Sequence, residues 1–100
     1  MRKRRIVFER TARCELDEAV EWYERALLKL GTRFRSDVYA AVESLEPFPE
    51  RHSKEHGELR RIVMRRFPYL IYYLVEEKRI VVFSVFHASR DPEELREHLE

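Results

Sequence analysis

Four arginines, Arg60, Arg61, Arg65 and Arg66, crowd one short stretch, and no acidic side chain occurs from residue 59 to residue 75. Grouped guanidinium ions attract phosphates and carboxylates. Such a patch therefore suits nucleic acid or the acidic surface of a protein, and it also reads as a plain solvated face. His87 and Arg90 stand close together in the run HASRDP, at residues 87–92. A histidine there either moves a proton or ends a strand and hydrogen-bonds to its own turn. Arg90, followed by Asp91-Pro92, also fits a local ion pair. His52 and His56 have the spacing that places two metal ligands on one helix face, but Gly57 and the prolines before them oppose a helix, so no metal site is expected. Cys14 is the single cysteine, which excludes an internal disulfide and a cysteine zinc cage. Trp22 and Tyr23 read as helix-to-sheet packing rather than a ligand cage.

The elements that must position these groups centre on residues 58–92, ELRRIVMRRFPYLIYYLVEEKRIVVFSVFHASRDP. Three strands follow from it. Residues 59–66 alternate apolar with basic, residues 69–76 are almost wholly apolar, and the strand at residues 80–87 is apolar through Phe86 with only Ser84 interrupting. Phe67-Pro68 and Glu76-Glu77-Lys78 are the turns, since proline cannot donate to a ladder and the charged trio lacks apolar surface. Connections this short make an antiparallel meander. The middle strand is apolar on both sides, with Tyr69, Ile71, Tyr73 and Val75 alternating with Leu70, Tyr72 and Leu74, so both sheet faces need a cover. Two helices serve one face. Either Leu95 and Leu99 of the acidic tail or a partner protein serves the other.

Before the meander, residues 5–9 read as a first strand at an edge or beside the last strand. Thr11 suits an N-cap, and Leu16, Ala19, Val20, Tyr23, Leu27 and Leu30 recur at helical spacing over residues 12–30. Gly31 is read as the stop. A second helix over residues 32–46 carries Phe34, Val38, Ala41, Val42 and Leu45, and Pro47 with Pro49 end it. Residues 50–58 lack periodicity and read as an exposed loop, and a short helix starts at Glu93 after an Asp91 cap and Pro92. The expected class is α+β: N-terminal strand, helical hairpin, three-stranded antiparallel meander and short C-terminal helix.

One hundred residues suit one domain with one modest core. The composition, 44% hydrophobic and 39% charged, is that of a soluble globular chain, and no apolar run approaches the ~20 residues of a membrane helix. The N-terminus MRKRRIVFER is basic without an apolar h-region, so it is not read as a signal peptide, and a cytoplasmic location is expected. The net charge of +1 hides asymmetry: residues 1–10 carry five basic groups and one acidic, residues 91–100 five acidic and one basic.

The chain resembles the RelE/ParE superfamily of type II toxins, and in particular its ParE branch. The resemblance is carried by ARCELDEAVEWYE at residues 12–24, Gly31 with Arg33-Phe34, Pro47-Phe48-Pro49, RRFPYLIYY at residues 65–73, and His87-Ala-Ser-Arg90-Asp-Pro92. These pieces span nearly the whole chain in the family's order. The resemblance implies a toxin neutralised by a small ParD-like or RelB-like antitoxin encoded beside it. ParE-like members are associated with poisoning DNA gyrase, whereas RelE-like members cut messenger RNA in the ribosomal A site. For RelE-like cutting, Arg65 aligns with an arginine of those enzymes and His87 and Arg90 lie at the last strand. The lysine-rich stretch is represented only by Lys54, however, and the late tyrosine is absent after His87.

The expected function is therefore gyrase inhibition without intrinsic catalysis. The alternatives are a ribosome-dependent endoribonuclease using Arg65, His87 and Arg90, or an inactive antitoxin-binding module. Arg60, Arg61, Arg65, Arg66, Leu70, Tyr72, Leu74, His87 and Arg90 are the candidate contacts for antitoxin or target. No cofactor, metal, membrane or sequence-specific nucleic-acid binding is expected.

Overall fold

The computed structural model describes residues 3–99, apart from the side chains of Pro92, Arg96, His98 and Leu99. The element order is β1 (Arg5–Phe8), α1 (Arg10–Ala26), α2 (Leu30–Glu43), β2 (Lys54–His56), β3 (Leu59–Val63), β4 (Tyr69–Val75), β5 (Arg79–His87) and α3 (Pro92–Leu99). The sheet runs β1-β5-β4-β3-β2, with β1 parallel to β5 and every other pair antiparallel. The expected α+β architecture is present, and both expected meander turns fall at the stated residues: Tyr69 N–H donates to the Phe67 carbonyl and Glu76 N–H to that of Arg79.

The two-faced middle strand is the organising fact of the packing. Ile71 and Tyr73 face α1 and α2 and join Leu16, Phe34, Val38, Val42 and Val85 in the main core. Tyr72 faces the other way, into a second cluster with Leu59, Phe86 and Leu95, flanked by Leu70, Leu74 and Phe83. Leu95, carried by α3, is 1% exposed, so the tail does cover part of that face. Its expected companion Leu99 lies outside the described side chains.

Four local expectations are corrected. Residues 50–58 are not all loop: Lys54 pairs with Arg60 as β2, and Gly57, at φ 55°, makes the turn back into β3. Two backbone pairings, Lys54 with Arg60 and His56 with Leu59, need no hydrophobic pattern, which is why periodicity is blind to them. Gly31 does not end the first helix. α1 stops at Ala26, the left-handed residue is Lys29 at φ 72°, and Gly31 lies inside α2 because the two helices cross there. A Cβ at position 31 would stand 2.4 Å from the Val20 carbonyl oxygen. The Thr11 cap is displaced, since Glu9 N–H is still bonded to the Val82 carbonyl of the sheet and the helix begins directly after it. Finally, β3 ends at Val63, so Arg65 and Arg66 sit in the following turn instead of on opposite faces of a strand.

Candidate functional site

The helix α1 lies along β5 with Glu15, Glu18, Ala19 and Trp22 on the side facing the strand's end, as spacings of three and four dictate. β1 pairs with β5 only as far as Val82, so the outer edge of β5 beyond that point lacks a neighbouring strand. Glu15 supplies the missing acceptor: its Oε1 takes the Val85 N–H at 2.9 Å and the Ser84 hydroxyl at 2.8 Å. Ser84, the one polar interruption in an apolar strand, is thus a buried donor with a charged partner.

The second carboxylate oxygen of Glu15 accepts from Arg90 Nη1 at 3.0 Å. Arg90 also donates through Nε and Nη2 to Glu94 of α3, at 3.0 and 2.8 Å, and its guanidinium lies 4.4 Å from the Phe86 ring centroid. Burial disfavours its charge, but the bonds to Glu94 and Glu15 outweigh that and raise its pKa. One arginine therefore ties α1, β5 and α3 together. His87, three residues earlier, accepts at Nδ1 from the Ser89 N–H at 3.0 Å and stacks edge-on against Tyr69 at 4.9 Å. That bond places the neutral ring's proton on Nε2.

Together these groups line an open cleft of about 440 Å³ formed by Glu15, Glu18, Ala19, Trp22, Tyr69, Val85, His87 and Arg90. Burial foremost, then Tyr23, raises the pKa of the Tyr69 phenol; Arg90 opposes that, and Glu15 and Glu18 add to it. Tyr69 is therefore a neutral donor near pH 7.

The structure brings His87 and Arg90 into this cleft and leaves Arg65 out of it. Arg65 lines a separate groove of about 450 Å³ between α2 and β3, with Asp37, Arg51, His52 and Arg66 among its walls. The basic patch is also largely spent within the chain. Arg60, only 16% exposed, donates Nη1 to the carbonyls of Glu50 and His52 and holds the 50–52 segment against the sheet. Arg61 faces Glu55 at 3.8 Å and Arg66 faces Asp37 at 3.5 Å. Arg65 alone of the four has no ion pair among the described residues. Leu70 and Leu74 are half-buried and Tyr72 is buried on the second face. Among the described residues no group of three or more His, Cys, Asp or Glu is arranged to hold a metal ion, and no helix is long and apolar enough to cross a membrane.

Two further residues were not singled out from sequence. For Glu15 the only trace in the sequence is Ser84, the polar residue that interrupts its partner strand. Glu24 receives the N–H groups of Lys29 at 2.8 Å and Gly31 at 3.0 Å, capping α2 from the preceding helix. Its place in EWYE gave no hint that it reaches across the hairpin.

Comparison with known proteins agrees with this architecture. A solved structure described as the chromosomal ParDE TA system from P. aeruginosa superposes with a TM-score of 0.74, covering 86% of this chain and 97% of that chain at 18% identity. That likeness is one of fold. No curated protein matches the sequence. The model of the family described as ParE toxin of type II toxin-antitoxin system, parDE, matches residues 6–92. With all of β1 but Arg5, the helical hairpin, the meander and the start of α3 inside that match, the chain belongs to the ParE toxin family of type II toxin–antitoxin systems.

Proposed function

We propose that this ParE-family toxin acts by binding DNA gyrase in the cytoplasm, without bond-breaking chemistry of its own, and that a ParD-like antitoxin holds it inactive. The observation that carries the reading is the division of the cationic groups. Stabilising a phosphoryl transition state needs several free positive charges aimed at one point. Here Arg65 lines a different groove from His87 and Arg90, and the charge of Arg90 is already met by Glu15 and Glu94. The antitoxin is assigned to the second sheet face, where Leu70, Leu74 and Phe83 stay partly open and Val63 is 61% exposed beside Arg61. A flexible segment folding onto that face would finish the cover that Leu95 begins.

One observation favours the nuclease alternative: His87 and Arg90 share a cleft. Induced expression without antitoxin separates the two. Gyrase-dependent DNA breaks with intact message support the proposal; cleavage of translating message that is lost in His87→Ala or Arg65→Ala overturns it.

A further inference from the structure

Arg90 shows how the α1–β5 cleft treats a guanidinium: a carboxylate on one arm, a second carboxylate on the other, and an aromatic ring beneath. One turn further along α1, Glu18 and Trp22 set a carboxylate and an aromatic ring on the same cleft. Glu18 is exposed and pairs with nothing among the described residues. Trp22, four residues on and therefore on the same helix face, is 61% exposed, with its ring set edge-on against Tyr23. Ala19 between them is small and buried, and the Tyr69 ring forms the opposite wall. Glu15, Glu18 and Glu94 bring three negative charges and Arg90 returns one positive, so the region is negative although the chain as a whole is not.

We propose that the outer half of this cleft receives an arginine or lysine side chain presented by a partner protein, its charge on the Glu18 carboxylate and its stem or guanidinium plane on the Trp22 indole. Carboxylate and indole face together select a cation with an apolar stem. An acidic side chain entering the same space would meet Glu18 and find Arg90 already engaged. The cleft thus favours basic residues, whereas Arg65, in the groove between α2 and β3, favours acidic ones. This surface is separate from the face assigned to the antitoxin, and the inference holds whichever target the toxin has.

Trp22 is the only tryptophan in the chain, so its emission reports on the cleft directly. The full-length protein is titrated at low ionic strength with the capped peptides Ala-Arg-Ala and Ala-Lys-Ala, and with Ala-Glu-Ala and the citrulline analogue as controls. A saturable emission change with the two basic peptides, absent with both controls and weakened about threefold or more in Glu18→Gln, supports the site. Glu18 makes no hydrogen bond or ion pair among the described residues, so that variant keeps its fold, which circular dichroism checks. The proposal is overturned by no saturable change with the basic peptides, by an equal response to Ala-Glu-Ala or citrulline, or by a Glu18→Gln titration that matches the parent.

Discussion

Glu15 offers a sharp test of how the hairpin is fixed to the sheet. Its side chain is 16% exposed and accepts three hydrogen bonds, from Ser84, Val85 and Arg90. Replacing it with alanine strands two buried donors, the Ser84 hydroxyl and the Val85 N–H. An unsatisfied buried donor costs about 1–3 kcal/mol, so the pair sets a cost of roughly 2–6 kcal/mol, with the lower end reached if water enters through the open cleft. The Arg90 side chain is 38% exposed and keeps Glu94, so its share is small. At ~4–8 °C per kcal/mol for a chain of this size, Glu15→Ala lowers the melting temperature by roughly 8–48 °C. Glu15→Gln is the control: the amide oxygen still accepts from Ser84 and Val85, while its NH2 group faces Arg90, which keeps Glu94 and turns to water, at a cost of about 1 kcal/mol. Urea melts followed by circular dichroism give both values. If Glu15→Ala costs no more than Glu15→Gln, the edge-capping role is wrong. If Glu15→Ala and Ser84→Ala add without coupling, the two side chains do not share the bond described.

Other outcomes follow from single contacts. Gly31→Ala drives a methyl into the Val20 carbonyl and costs about 1–3 kcal/mol through helix separation; a lowered urea midpoint at unchanged slope is expected, and an unchanged midpoint would show that α1 and α2 can part freely. Tyr73→Phe removes a buried 2.8 Å bond to the Pro49 carbonyl and costs about 1–2 kcal/mol, with increased exchange of amides in residues 49–52 as the local readout. Burial first and Arg51 second lower the pKa of His52. Its neutral form therefore contributes stability present above about pH 6.5 and lost as pH falls through the lower folded value, so His52→Gln flattens the acid-side decline in urea midpoint between pH 6.5 and 5.

The fold was legible wherever burial imposed a period. The apolar stripe of α1, the uninterrupted β4 and the turn at Phe67-Pro68 each leave a pattern because a core face or a missing N–H forces one residue type. The two apolar faces of β4 likewise announced that the tail or a partner had to lie across the sheet, and Leu95 does. β2 escaped because three residues at a sheet edge, held by backbone bonds and carrying Lys54, Glu55 and His56, have no buried face to mark them. Gly31 misled for the opposite reason. Glycine serves both a positive φ and a close approach, and the sequence does not say which is in use; here Lys29 takes the positive φ and Gly31 the close approach.

The site was legible as residue types and illegible as pairings. Arg60, Arg61, Arg65 and Arg66 look equivalent in the chain, yet a two-residue period and the end of β3 send them to four different fates: the carbonyls of Glu50 and His52, Glu55, an open groove, and Asp37. His87 and Arg90 look like a catalytic pair until Glu15, seventy-five residues before Arg90, arrives across the helix-to-sheet interface and takes up the charge. A carboxylate at that distance in sequence gives no local sign of its partner. Its only trace is the serine that breaks an otherwise apolar strand, because a buried hydroxyl must donate to something and the nearest acceptor the fold can bring is on α1. The polar exception in a buried strand therefore locates the long-range contact that the charged residues themselves conceal.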